Sequence, residues 1–161
     1  MVINLITKPY DIKRGLFILT NRKEITMALN LSVLNVSEVS EAGIEFELVH
    51  PATGEGLDAW IKVRGEKSRT VQNHARKVVT EMQKREKVAK GKGKDNDLSI
   101  EELESLAIDR AIVRIISWRG IQEDGQDIPF TRENAEKVLK EHPWIREAVM
   151  EESEDLNEFF R

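Results

Sequence analysis

At 161 residues, 40% hydrophobic and 34% charged, the chain holds one globular α+β domain, or a small β unit joined to a helical one, and has no room for two enzyme-sized domains. It contains no cysteine, which excludes a disulfide framework, a zinc ribbon or a thiol nucleophile. The net charge of −4 conceals a polarity: 61–94 carries Lys62, Arg64, Lys67, Arg69, Arg76, Lys77, Lys84, Arg85, Lys87, Lys90, Lys92 and Lys94 against only Glu66, Glu81 and Glu86, whereas the last third is acidic.

No apolar run reaches the roughly 20 residues needed to cross a bilayer, and Met1–Tyr10 has neither a basic n-region nor a long apolar core, so neither a membrane span nor a signal peptide is expected. Residues 1–27 form an N-terminal extension with two open readings. Phe17–Thr20 and Glu24–Met27 fit a hairpin across Asn21–Lys23, and Met27-Ala28-Leu29-Asn30 fits a chain start leading into a strand. The sequon Asn35-Val36-Ser37 is taken as chance.

Residues 28–90 read as a β meander plus a helix. Ile44-Glu45-Phe46-Glu47-Leu48 alternates apolar and acidic residues, as a strand with one buried and one wet face requires. Leu57–Arg64 alternates likewise, and His50–Gly56 between them has the Pro and Gly punctuation of a hairpin loop. Leu29–Val33 alternates over fewer residues and supplies the expected third strand. Trp60 falls on the polar side of its strand, where an aromatic either packs under the following helix or anchors an interface. After Gly65 the period changes: Ser68 can cap a helix whose apolar positions Val71, Ala75, Val78, Val79 and Met82 form one stripe, which is expected to be docked. Beyond it, Ala89–Asp97 reads as a charged, flexible linker, with an organisational boundary at 91–98.

Residues 99–161 read as a bundle of about three helices packed on the first part. Ser99-Ile100-Glu101-Glu102 is a capping box, and Leu103, Leu106, Ala107, Ala111, Ile112, Ile115 and Ile116 extend one apolar stripe toward Trp118, so a long helix is expected up to Gly120. Gln122–Asp127 is a turn, Ile128-Pro129-Phe130 an extended apolar plug, and Thr131 a cap for a helix reaching about Glu141. His142-Pro143 breaks it, and Pro143 starts a last helix carrying Trp144, Ile145, Ala148, Val149, Leu156 and Phe159 or Phe160. The two terminal aromatics, as core or as a frayed apolar tail, are candidates for gripping another chain, as are Trp60 and Trp144.

Chemistry-bearing patterns are sparse. His50, His74 and His142 stand singly, none with a second ligand at metal-binding spacing. A phosphate loop ending at Gly65 would need Gly at 60 and Lys at 66, where the chain has Trp60 and Glu66, so Gly65-Glu66-Lys67-Ser68 is a strand-to-helix turn. The carboxylates Glu151, Glu152, Glu154 and Asp155 lie along a helix and lack the pattern of a calcium loop. No catalytic, metal or cofactor site is expected. Nucleic-acid binding by the basic stretch is disfavoured by the acidic total and the lack of interleaved aromatics.

Two stretches carry a family resemblance. Asp109, Ala111, Trp118-Arg119-Gly120-Ile121, Asp124-Gly125, Ile128-Pro129-Phe130-Thr131, Asn134-Ala135, Val138-Leu139 and Pro143-Trp144-Ile145 form one; His50–Glu55 with Ile61–Ser68 and Ala75-Arg76-Lys77 forms the other. Together they resemble the tail assembly chaperones of long-tailed bacteriophages, over about residues 28–160, with Trp118, Gly120, Pro129 and Phe130 as the core of the motif. The resemblance implies a non-enzymatic protein of the infected bacterium's cytoplasm that binds the tape measure protein and assists tail tube subunits in assembling around it. It leaves room for self-association, and for the alternative of a structural tail or head-tail component kept in the virion.

Overall fold

The computed structural model describes residues 35–91 and 97–160, which belong to one compact unit, Asn35–Arg161. The expected strand at Leu29–Val33 and both readings of the N-terminal extension lie outside the described residues. The fold is α+β. Among the described residues it has five α-helices, a three-stranded antiparallel sheet and a short two-stranded ribbon.

A helix absent from the sequence reading comes first. In α1 (Val36–Ala42) the side chain of Asn35 accepts from the backbone N–H of Glu38 at 3.4 Å, so the residue dismissed as part of a chance sequon is a helix cap. The hairpin of β1 (Ile44–Val49) and β2 (Gly56–Val63) then forms where the alternation placed it, with Ile44 opposite Val63 and Phe46 opposite Ile61. Ile61 and Val63 are fully buried on the inner face, while Glu45, Glu47 and Lys62 occupy the outer one.

α2 (Arg69–Gly91) is capped by Ser68, whose Oγ accepts from the Val71 N–H at 3.2 Å, and it carries three residues, 89–91, that were expected in the linker. Residues 92–96 of that linker lie outside the described residues. α3 (Ile100–Ile112) begins with the expected capping box: Glu102 N–H donates to Ser99 Oγ at 3.2 Å and Ser99 N–H to the Glu102 carboxylate at 2.9 Å.

The long helix expected up to Gly120 does not form. α3 stops at Ile112, and Ile115–Arg119 is β3, the third strand of the sheet, antiparallel to β2. Its isoleucines are β-branched and suit a pleated, half-buried surface better than a helix. A bulge makes the pairing work. Ile61 faces Trp118 and Val63 faces Ile115, so residues two apart on β2 oppose residues three apart on β3, with Ile116 as the extra one. Without it Ile115 and Trp118 would point to opposite faces; with it both are buried. Gly120 therefore ends a strand, not a helix. It has φ +75°, and a Cβ there would run into the carbonyl of Asp58.

β4 (Gln122–Glu123) and β5 (Gln126–Asp127) make the turn region a tight hairpin, in which Asp124 and Gly125 both adopt positive φ, +52° and +77°. The plug follows as expected: Phe130 meets Trp118 edge-to-face with centroids 5.0 Å apart, and Trp118 Nε1 donates to the Ile128 carbonyl at 2.6 Å. Thr131 caps α4 (Arg132–Glu141), and Pro143 opens α5 (Pro143–Glu154), which leads to a 3₁₀ turn at Glu158–Phe160. Inner-face residues of the sheet, Ile108, Ala111 and Ile112 of α3, Ala135, Val138 and Leu139 of α4, and Ile145 and Val149 of α5 form one core.

A polar junction fixes where α2 leaves the sheet. The Glu41 carboxylate accepts from Arg64 Nε at 3.1 Å, from Thr70 N–H at 3.0 Å and from Thr70 Oγ1 at 2.5 Å. Ser153 Oγ donates to the Arg64 carbonyl at 2.7 Å, and Arg64 N–H donates to the Arg114 carbonyl at 2.7 Å. The start of α2 is thereby tied to α1, β2, the α3–β3 turn and α5.

Candidate partner-binding groove

The stripe Val71, Ala75, Val78, Val79 and Met82 was expected to be docked. Only Val71 is buried. The remainder faces an open cavity of about 660 Å³ whose other walls are α3 (Leu103, Leu106, Ala107) and α5 (Met150). Val79 and Leu103 are each more than half exposed, at 53% and 52%. Side chains at these spacings form continuous apolar walls because positions three and four apart share a helix face.

The direction of the groove follows from its end contacts. At one end the start of α2 lies at the Arg64–Arg114 junction; at the other, Arg85 of α2 meets Glu102 in the first turn of α3 at 2.7 Å. The two helices therefore run antiparallel. Along α3 and the turn after it the lining passes from Leu103 through Leu106 and Ala107 to Arg110 and then Arg114, so this side of the groove is apolar along the helix and basic where α2 begins.

That basic end has unusual electrostatics. Arg114 is 3% exposed, donates from Nη1 to the Arg110 carbonyl at 2.6 Å, and its Nε has no hydrogen-bond partner. No carboxylate among the described residues lies within ion-pair distance of it. Burial, and next the neighbouring Arg110, pull its guanidinium below the ordinary value, yet an arginine keeps its proton in a protein. The carboxylates whose field reaches it are engaged elsewhere, Glu154 by Arg110 at 3.1 Å and Glu66 by Lys67 at 3.6 Å. Arg146, on α5, also lines the groove with a buried Nη1 lacking a partner.

The four residues expected to bind partners are scattered. Trp60 is on the outer face of the sheet, half-buried, covered by the Arg119 guanidinium 4.8 Å from its ring centre. Trp144, at the start of α5, lines a second cavity of about 330 Å³ with Leu57, Gly120 and Ile121. The terminal pair is split. Phe159 is buried against Gly65, where a Cβ would come within 3.1 Å of its ring, while Phe160 is 43% exposed, so the reading of both as a frayed tail holds for neither the position nor the packing of Phe159. Among the motif residues, Trp118 and Phe130 pack together, Gly120 turns the chain below them, and the Pro129 carbonyl accepts from Asn134 Nδ2 at 2.9 Å. Their part is to lock the plug and the sheet.

The sequence reading passed over Leu103, Leu106, Arg114 and Arg146 as binding residues. One signal was present: Arg114 interrupts an apolar run, Ala111–Ile116, and a charge in such a place needs a partner. Among the described residues no cluster of His, Asp and Glu could hold a metal ion, and no helix is long and apolar enough to cross a membrane.

Residues 65–161 match the family described as YdaY prophage protein. The match covers more than half of the chain and every residue lining the groove, and the chain belongs to that family. Searches of the curated proteins and of the solved structures gave no match.

Proposed function

We propose that this prophage protein is a tail assembly chaperone, which shields an apolar helical segment of the tape measure protein and hands it over as tail tube subunits assemble. The observation that carries the proposal is the open groove walled by Val78, Val79, Met82, Leu103 and Leu106. A helix laid between two antiparallel helices covers its own apolar stripe and the groove's together, which is a common mode of helix recognition. Binding of this kind needs neither a nucleotide nor a catalytic group. The resemblance through Trp118–Ile145 supplies the identity of the partner, and membership in a prophage family agrees with it.

Co-expression with the tape measure protein of the same prophage tests the proposal. The tape measure protein should become soluble and co-purify, and Leu106→Glu, which puts a charge on the groove wall, should abolish both effects. An unchanged soluble yield without co-purification would overturn it. Stoichiometric amounts of the protein in purified particles would instead make it a structural component.

A further inference from the structure

The groove has a second recognition element besides its apolar walls. We propose that its basic end reads a carboxylate: the partner is an amphipathic helix whose apolar stripe finishes in one or two Asp or Glu residues, received by Arg114 and Arg146. This rests on the groove being a binding surface and adds the chemistry of what it selects.

An unpaired buried cation is costly, because the water it has lost is not replaced by a counter-charge. Arg114 is such a cation, 3% exposed with its Nε unsatisfied. Arg146 Nη1, on α5, repeats the deficiency, so two guanidinium groups, each with a buried donor that lacks a partner, line one space. The acidic residues lining that space make no ion pair with them: Glu66 is paired with Lys67, and Glu147 is exposed to water. A carboxylate arriving on a partner helix can accept from a guanidinium in a partly desolvated setting, where charge-assisted hydrogen bonds are strongest. Because Arg110 and Arg114 stand where α2 begins, the contact would also fix which way the partner helix runs.

The probes are 18-residue helical peptides bearing one Leu stripe, identical except that the two stripe positions in the last turn are Glu, Gln or Lys. Their binding to the full chain is followed by fluorescence anisotropy. The Glu peptide should bind about tenfold more tightly than the Gln peptide, and the Lys peptide more weakly than either. In Arg114→Met the Glu and Gln peptides should converge, while the urea midpoint stays level or rises because an unpaired buried charge has been removed. Arg146→Met gives the same comparison should Arg114→Met fold poorly. Equal binding of the Glu and Gln peptides by the unaltered protein would overturn the inference, as would an equal loss of both in the variants. Arg114-dependent dimerisation in light scattering would also overturn it, by making a second copy the occupant. The broader reading is separable: a Glu preference without tape measure co-purification sinks only the chaperone proposal, and co-purification without a Glu preference sinks only the carboxylate.

Discussion

Trp118→Ala tests whether the helices and the sheet stand or fall together. The indole is 9% exposed, faces Ile61 across the strands, meets Phe130 edge-to-face and donates to the Ile128 carbonyl. Truncating a core aromatic to Ala costs about 3–5 kcal/mol. Of that, roughly 1 kcal/mol belongs to the aromatic pair and about 1 kcal/mol to the hydrogen bond. Trp118→Phe separates part of this, since it keeps one aromatic ring against Phe130 while losing the donor and some of the indole's volume, and should cost about 1–3 kcal/mol. Urea unfolding is read twice, by far-UV circular dichroism and by fluorescence of the remaining tryptophans, Trp60 on the sheet and Trp144 on α5. In a single cooperative unit both readings shift together. A loss below about 1 kcal/mol, or midpoints that separate between the two readings, would refute the shared core.

Further outcomes follow from the charged groups and the groove. Glu41 has its carboxyl held below the ordinary value of 4.5, first by the Thr70 hydroxyl, so the stability it contributes is present above that value and is lost as pH falls through the folded one. With the side chain more than a third exposed and solvent-screened, Glu41→Gln should cost about 1 kcal/mol near neutral pH. The cost should vanish in acid, which thermal melts across pH would show. Glu152 is shifted the opposite way, raised by burial and then by Glu158, Glu151 and Asp155. Folding then disfavours its charged form, stability declines as pH rises from 4.5 through the folded value, and Glu152→Gln should raise the melting temperature at pH 7 but not in acid. Val79→Lys, at a position 53% exposed, should change unfolding free energy by less than about 0.5 kcal/mol while lowering affinity for the partner helix, as calorimetry on the same sample can check.

What could be read in the sequence was what depends on neighbours in sequence. The β1–β2 hairpin showed itself through alternation, α3 through its capping box, α4 through Thr131 and α5 through Pro143, because each of these is settled within a few residues. β3 was misread for a physical reason. The run from Ile112 to Trp118 satisfies a helical stripe as well as a strand, and what decides between them is β2, more than fifty residues earlier, which offers an open edge to Ile115–Arg119. The bulge at Ile116 deepens the ambiguity by spacing buried residues three apart, a helical interval inside a strand. The groove escaped notice for a related reason: an apolar stripe such as Val71–Met82 looks the same whether a neighbour in the chain covers it or another molecule must.

The way α2 is held bears on how a partner could be taken up and released. Its first turns are fixed by the buried Ser68 and Val71, the Glu41–Thr70 bonds and the Gln72 side chain donating to the Glu66 carbonyl at 2.9 Å. Its 23 residues extend about 35 Å, and past Met82 the helix is exposed, joined to α3 by the Arg85–Glu102 pair. Both partners of that pair are more than 40% exposed, so it contributes no more than about 1 kcal/mol. One wall of the groove is thus rigid where the arginines lie and weakly held where the walls are apolar. Separating the walls at the open end sacrifices little packing, so helices with differently sized apolar side chains can be accommodated there. Where α2 begins, by contrast, the Arg114 guanidinium is anchored by its bond to the Arg110 carbonyl and can discriminate. Affinity would then come mainly from adjustable apolar contact, and register from the charge, so that a bound helix could be held in one direction and still be exchanged for a competitor.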